Sequence, residues 1–286
     1  MAERILDIHP HIVSTDTERY PLAPIGGTRS DWSKERSVTF EQLAIAMDDA
    51  GVAKAAIVHS STTYGFNDDY VADSIAGQSA RFTGVFSVDI TRPDAPEKMA
   101  YWYSRGMTGM RIYVRGTTMK DAWIAIDDPV IAPCWKKAAD MGISMCVNAH
   151  ARAEGITQLT NLAKTYTTVP IIVDHLGQPD IEDGAPYAHA RDFFGLAKYP
   201  NIYLKMTPAG MASASKGKAT PESFITKLAA EFGASRIAWG SNYPSSKGSL
   251  KEIVATLHEQ LQPLSQSDRE WILFRTAERL YPALAG

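Results

Sequence analysis

Short apolar runs, each about the length of a β-strand, recur along the whole sequence. Within each run most positions are apolar instead of alternating with polar ones, which is typical of strands buried on both faces. There are eight such runs: Ile5–Ile8, Ala55–Val58, Phe82–Val88, Gly109–Val114, Ile143–Asn148, Val169–Asp174, Asn201–Met206 and Arg236–Ser241. The pattern therefore predicts a parallel sheet whose strands are covered on both sides.

The segments between these runs carry helical spacing and helix-start signals. Thr39–Gln42, Ser249–Glu252 and Ser267–Glu270 each have the form of a capping box, in which two side chains satisfy free backbone N–H groups. Thr220-Pro221 places a proline at the first helical position, where its missing N–H costs nothing. These signals predict helices between the strands.

Alternation of eight strands with helices predicts an α/β fold, a (β/α)8 TIM-like barrel forming a single domain over residues 1–286. A doubly wound sheet is the main alternative. It is disfavoured because no G-x-G-x-x-G or Walker loop follows a predicted strand. Residues 14–37 are polar and contain proline and glycine, so we interpret them as a long loop over the barrel mouth.

The composition narrows the class of protein. The chain is 45% hydrophobic and 21% charged with a net charge of −3, which excludes a disordered or fibrous protein. No apolar run is long enough to span a membrane, and the N-terminus lacks a signal-peptide pattern. The near balance of charge argues against nucleic acid or a membrane as partner. With only two cysteines, we expect a cytoplasmic protein acting on a small molecule, and a homo-oligomer remains open.

Histidines cluster at the predicted strand ends, where barrel enzymes carry their catalytic groups. Of the seven histidines, five occupy such positions: His9, His11, His59, His150 and His175. A single histidine is more often a surface or core residue, so the clustering is what indicates a site. Imidazoles suit a Zn²⁺-like ion, and they equally suit metal-free acid–base chemistry. The pattern leaves both open.

Basic and aromatic residues near the same strand ends indicate the substrate. Arg111 and Arg115, on one face of the fourth strand, would offer two guanidinium groups to a carboxylate. Alternatively, one of them pairs with a helix carboxylate outside the barrel. Lys205, Tyr64 and Tyr113 are further candidates for the pocket, although snorkelling or packing would also account for them. We include His59 in the same substrate-binding group.

Three motifs carry a resemblance to a known family. They are His9-x-His11 after the first strand, Val173–Gly177 after the sixth and Trp239–Pro244 after the eighth. In this order they resemble the amidohydrolase superfamily, in particular its amidohydrolase-related branch of lactonases, with zinc-dependent decarboxylases further away. The resemblance covers essentially the whole chain. It is specific for the superfamily and not for a substrate.

The resemblance implies roles for individual residues. His9 and His11 match the pair that holds a metal or polarises a lactone carbonyl, and His175 matches a histidine that hydrogen-bonds water or substrate. His150 lies where metal-dependent members place another ligand. Arg111 stands where binuclear members carry a bridging residue. We therefore expect one divalent metal on His9, His11 and His150, with zinc favoured, or no metal.

The chain departs from the pattern at Asn242. Relatives usually carry an aspartate there as general base, and an amide cannot accept a proton at neutral pH. The asparagine can be an engineered inactivation, the mark of a natural subgroup in which a histidine is the base, or a sign of binding without catalysis. We favour the natural subgroup, because Ser245–Gly248 also departs from the family pattern.

The sequence thus predicts a hydrolase that opens a carboxylate-bearing lactone, or another cyclic ester or amide, from aromatic or sugar-acid catabolism. In this interpretation His9 and His11 stabilise the oxyanion, His175 transfers the proton, Asn242 positions water and Arg111, with Arg115, holds the carboxylate. The alternatives are a metal-dependent decarboxylase of an aromatic acid and a non-catalytic binding protein for a small acid.

Overall fold

The computed structural model describes residues 3–115, 118–119 and 122–286, and its strands form one parallel sheet curved into a barrel. Each strand pairs with the next in the sequence. The first and last strands also meet, because the N–H of Ile8, just after the first strand, donates to the carbonyl of Trp239 in the last strand at 3.2 Å. The (β/α)8 prediction is confirmed. The strands are β1 Ile5–Asp7, β2 Val52–Val58, β3 Phe82–Phe86, β4 Gly109–Ile112, β5 Ser144–Val147, β6 Ile171–Val173, β7 Ile202–Met206 and β8 Ile237–Trp239.

Helices surround the sheet and follow most of the predicted starting signals. Thr39 and Ser249 each form the capping box, and Thr220 caps the helix that begins at Pro221. The capping box predicted at Ser267 is wrong: Ser265 has the extended N-cap backbone, so the helix has already begun. The α-helices are α1 Asp31–Glu35, α2 Phe40–Ala50, α3 Ser61–Tyr64, α4 Asp69–Ile75, α5 Ala95–Ser104, α6 Ala132–Met141, α7 Ala153–Thr165, α8 Arg191–Phe194, α9 Pro208–Met211, α10 Pro221–Phe232, α11 Leu250–Leu261, α12 Gln266–Glu270 and α13 Thr276–Leu280.

The strands are buried on both faces, as their continuous apolar pattern predicts. Outward side chains such as Ile57 and Phe86 join the apolar layer between sheet and helices. Inward side chains such as Leu6, Ile8 and Val85 form a separate apolar cluster inside the barrel. Polar groups near the carboxyl ends of the strands therefore have a packed apolar layer below them, inside the barrel.

Tyr281, just after α13, closes the barrel at the amino ends of the strands. Its ring lies so close to Gly109, the first residue of β4, that a Cβ there would be 2.5 Å from the ring. The Ser144 hydroxyl at the start of β5 donates to the Leu280 carbonyl at 2.8 Å. Tyr281 and Leu280 pack into the interior cluster. This end of the barrel is sealed, and the opposite end carries the cavity.

No helix in the described ranges is both long and apolar enough to cross a membrane.

Candidate active site

A cavity of about 610 Å³ opens at the carboxyl ends of the strands. Eight of the residues predicted for the site line it: His9, His11, Arg111, Tyr113, Arg115, His150, His175 and Asn242. Side chains that the sequence did not single out complete much of the wall: Trp32, Ser60, Ser61, Thr62, Asn148 and Lys247. The clustering of histidines at one rim is thus observed, and the cavity is where a substrate would enter.

The structure does not bring His59, Tyr64 and Lys205 to this wall. His59 is fully buried with its Nε2 atom 2.9 Å from the Gly65 carbonyl oxygen. The Tyr64 hydroxyl accepts a hydrogen bond from the Ser14 N–H at 2.7 Å. Lys205 is fully buried inside the barrel. These three side chains are therefore held by contacts within the protein, whereas the sequence suggested that they contact the substrate.

Three imidazoles converge at the base of the cavity. The ring centroids of His9 and His11 are 4.9 Å apart, and those of His9 and His175 are 5.0 Å apart. The His11 Nδ1 atom lies 2.7 Å from the Val58 carbonyl oxygen, which can only accept a hydrogen bond. Neutral His11 therefore carries its proton on Nδ1 and keeps a lone pair on Nε2.

Two of these site residues have left-handed backbone conformations. His175 has a φ of 53° and Asn242 a φ of 52°, each shortly after the end of its strand. Non-glycine residues rarely adopt this conformation, and such positions are concentrated at functional sites. Close packing between the strands depends on Gly240, since a Cβ there would lie 2.6 Å from that of His9. The turns after β6 and β8 thus place His175 and Asn242 beside His9.

A group of buried charges lies directly beneath the imidazoles. The Asp174 carboxylate is 2.8 Å from the Lys205 Nζ atom and 2.7 Å from the Arg111 Nε atom. Burial alone would raise the pKa of Asp174, but the two cations outweigh it and hold that pKa well below its ordinary value. Two positive charges thus share one carboxylate, and the floor of the cavity is positive.

The same surroundings keep the imidazoles neutral. Burial, assisted by the positive charge of Arg111, lowers the pKa of His11 to about 3. Burial lowers the pKa of His175 to about 4, although Asp174 opposes the shift. The pKa of His9 is also well below its ordinary value, first through burial and then through Lys205. All three imidazoles are therefore neutral, with one N–H each, at neutral pH before a ligand binds.

The mouth of the cavity is built by residues outside the strands. Trp32, on α1 within residues 14–37, stacks on the His11 ring with centroids 5.3 Å apart. β4 ends at Ile112, so Arg115 lies beyond the strand and does not share a strand face with Arg111, contrary to the sequence-based argument. Both arginines nevertheless reach the cavity wall.

The residues offered to a metal ion do not fit a divalent cation. Among described residues, the group whose ligand atoms lie within 4.8 Å of one another is His9, Asp174 and His175. Asp174 already contacts two cations, Arg111 and Lys205, and both would repel a dication bound to the same carboxylate. His11 does have its Nδ1 anchored to a carbonyl in the manner of metal-binding histidines, but His9 turns its Nδ1 toward Lys205. The predicted metal set of His9, His11 and His150 stays a prediction, and no catalytic step is derived through a metal.

The nearly closed barrel carries convergent histidines at the carboxyl ends of its strands, which is where barrel enzymes place their catalytic groups. The sequence profile of the amidohydrolase family matches residues 6–283. The chain belongs to the amidohydrolase family, as the three motifs indicated, and it is a hydrolase-type enzyme.

Individual relatives agree with this assignment. An L-fucono-1,5-lactonase of Burkholderia ambifaria is 27% identical over 200 residues, covering 69% of this chain and 67% of that protein. A candidate 2-pyrone-4,6-dicarboxylic acid hydrolase of Pseudomonas putida superposes with a TM-score of 0.78 at 18% identity, over 99% of both chains. A Burkholderia multivorans amidohydrolase solved with zinc has a TM-score of 0.74 at 17% identity, over 98% of this chain and 99% of that chain. At these identities the two structures establish the fold.

Sequence reasoning missed Asp174 as a member of the site. A lysine at the centre of an apolar strand requires a buried counter-charge, because an isolated ammonium is too costly to desolvate. Lys205 on β7 therefore implied a carboxylate on a neighbouring strand, and Asp174 directly follows β6. Trp32 and Lys247 gave no comparable indication, since loop residues reach the cavity only through the tertiary fold.

Proposed function

We propose that this enzyme hydrolyses a lactone that carries a carboxylate group. One observation carries the proposal: the described wall of the cavity contains four histidines, Arg111, Arg115 and Lys247, but no aspartate or glutamate. A cleft lined by one sign of charge concentrates ligands of the opposite sign. The family and the sugar-lactonase relative support ring-opening hydrolysis as the reaction.

The imidazoles supply the groups that water attack on a ring carbonyl needs. His175 shares a hydrogen bond with the Thr207 hydroxyl, 2.8 Å from its Nδ1. When Nδ1 donates to Thr207, Nε2 accepts the proton of the attacking water. His9 stabilises the oxyanion of the tetrahedral intermediate. When the ring C–O bond breaks, the imidazolium of His175 returns its proton to the leaving alkoxide, so no proton is lost in the step.

His11 and Asn242 place the water. The Val58 carbonyl holds His11 with a lone pair on Nε2, which suits a hydrogen bond from water better than donation to an oxyanion. This changes the oxyanion role expected for His11 from the sequence. The Asn242 amide lines the same cavity and donates to the same water. In this mechanism the asparagine belongs to a natural subgroup with a histidine base.

The negative charge of the substrate carboxylate raises the pKa of the proposed base, His175. A carboxylate near Arg115 and Lys247 brings negative charge into a positive cavity, and negative charge favours imidazolium. The pKa of His175 therefore rises from about 4 toward neutral pH when the substrate binds. A base works best when its pKa lies near the working pH.

The test is to assay the protein with a panel of sugar-acid lactones and pyrone carboxylates. Hydrolysis is measured as the release of protons into a weak buffer, because ring opening produces a carboxylic acid. We expect turnover by the native chain and a loss of about 10²–10⁴ in kcat/KM for His175→Asn. Asparagine tolerates the left-handed backbone at this position. The matched control is His189→Asn at an exposed histidine, which should retain full activity.

Two outcomes would overturn the proposal. Carbon dioxide release from aromatic acids, with no hydrolysis of any lactone, would identify a decarboxylase. Saturable binding of small acids without turnover would identify a binding protein.

We also propose a cytoplasmic location. Both cysteines, Cys134 and Cys146, are free and buried, as is common in proteins of a reducing compartment.

A further inference from the structure

Lys205 occupies the centre of the barrel directly beneath the reactive imidazoles. It lies on β7, and its side chain is completely buried. Neither the water-attack mechanism nor the cavity wall uses it. Burying a lysine costs free energy of desolvation, so we expect a specific role for its contacts.

The ammonium has three neighbours. Its Nζ atom is 2.8 Å from Asp174 Oδ1, 2.9 Å from His9 Nδ1 and 3.3 Å from Cys146 Sγ. A lysine ammonium has three N–H donors and no acceptor. Lys205 forms an ion pair with the Asp174 carboxylate, and an ammonium has no lone pair to offer, so the His9 Nδ1 atom must be the acceptor in their hydrogen bond.

We propose that Lys205 fixes the tautomer of His9, so that His9 presents its Nε2 as an N–H donor to the substrate. A neutral imidazole that accepts on one nitrogen carries its proton on the other. The His9 Nε2 atom is buried at the base of the cavity, and among the described residues it meets no hydrogen-bond partner. It is thus a preset donor for a ring carbonyl. This inference rests on the proposed function for its catalytic meaning, and on the structure alone for the tautomer.

The same contact makes His9 unsuitable as a metal ligand. A histidine nitrogen binds a metal through its lone pair, and in this tautomer the lone pair lies on Nδ1 and is already used by Lys205. Metal-binding histidines show the reverse arrangement, donating from the second nitrogen to a carbonyl or carboxylate. His11 and Val58 have that arrangement, whereas His9 and Lys205 do not. Lys205 is therefore a positioning residue: it occupies the lone pair of His9 Nδ1, so that His9 can donate a hydrogen bond from Nε2 but cannot bind a metal.

Nitrogen NMR of the native chain tests the tautomer without any lactone. In protein labelled with ¹⁵N-histidine at neutral pH, we expect the His9 Nδ1 resonance at the unprotonated position and its Nε2 resonance at the protonated one. His9→Gln assigns the signals by removing them. The opposite pattern would overturn the proposal even if lactone hydrolysis is confirmed. The expected pattern would stand even if no lactone is hydrolysed.

Lys205→Met removes the donor and provides the second test. Without Lys205, His9 can expose its Nε2 lone pair, so we expect zinc affinity to rise about tenfold or more in a titration with Zn²⁺ alone. kcat should fall more than KM rises, since the carbonyl donor acts in the transition state. Stoichiometric tight zinc binding by the native chain, with no gain in the variant, would contradict the proposal.

Cys146→Ser is the matched control, because the Cys146 sulfur accepts a hydrogen bond from the same ammonium, 3.3 Å away, on a side chain that is not proposed to set the tautomer. It should keep the native tautomer and the native zinc affinity. If Cys146→Ser changed both as much as Lys205→Met does, general disturbance of the barrel interior would account for the result and the specific role of Lys205 would be wrong.

Discussion

The Asp7 carboxylate accepts a hydrogen bond from the Ser241 N–H at 2.9 Å, joining the end of β1 to the turn after β8. The same oxygen accepts from the His9 N–H at 2.9 Å. One carboxylate thereby fixes the backbone of His9 relative to that of Asn242, which are two neighbouring groups of the site. Burial raises the pKa of Asp7 to about 6.

Asp7→Asn should change the pH dependence of stability. Because the folded-state pKa of Asp7 is raised, its contribution favours the folded state at low pH and is lost as the pH rises through about 6. Asparagine mimics the protonated acid at every pH and can still accept both hydrogen bonds. We expect the free energy of unfolding of the variant, minus that of the native chain, to increase by about 2–3 kcal/mol from pH 4 to pH 8.

Urea denaturation of both proteins across this pH range measures the difference. The opposite contribution of Asp174, whose pKa is lowered, is common to both proteins and cancels. A constant difference would show that Asp7 titrates normally.

Asn242→Gly and Asn242→Ala separate the amide from the backbone. Both remove the amide that we assign to water, so activity should fall equally. The left-handed φ of 52° suits glycine but costs alanine about 1 kcal/mol or more. Alanine should therefore lower the melting temperature below that of the glycine variant, in scanning calorimetry. Full activity in the glycine variant would show that the amide is dispensable.

Arg115→Gln and Lys247→Gln should weaken binding of the substrate and leave its chemistry intact. Each removes a positive charge from the cavity wall, so we expect KM to rise about tenfold with little change in kcat. Lys251→Gln is the control, since this exposed lysine on α11 pairs with Asp49 outside the cavity. An equal KM effect in the control would point to general attraction between the protein and the anion.

Binding of a dicarboxylate should draw protons from solution. The unbound pKa values of His11 and His175, about 3 and 4, rise when an anion enters the cavity. Calorimetric titration with isophthalate at about pH 5.5, in two buffers of different ionisation enthalpy, measures the uptake. Net proton release, or none, would mean that the anion does not bind beside the imidazoles.

The barrel could be predicted because its strands are buried on both faces. Continuous apolar runs as short as those of β2 and β5 are too brief for buried helices and fit strands covered by helices on each side. The confirmed strands fall within or close to the predicted runs. The ends of the individual strands were predicted less accurately than their number and order. Tyr113 and Val114 continue the apolar run of β4 but are buried beyond its end, because apolar loop residues also pack at the cavity mouth.

The candidate site was predictable as a cluster and not as a set of roles. Strand-end position gave His9, His11 and His175, but it could not give the direction of Lys205. Successive side chains of β7 point alternately into the barrel and out of it. A shift of one residue in the predicted strand would therefore turn Lys205 from the inside to the outside. The hydrogen bond between His11 and Val58 was equally inaccessible, because it joins segments that meet only in the folded barrel.

Tyr281 seals the barrel and its hydroxyl lies 3.4 Å from the Cys146 sulfur, which in turn contacts the ammonium beneath His9. One chain of contacts therefore crosses the barrel interior, from the Tyr281 hydroxyl through the Cys146 sulfur and the Lys205 ammonium to the His9 ring. The aromatic plug at the amino ends of the strands thus supports, from below, the imidazole that faces the cavity at their carboxyl ends.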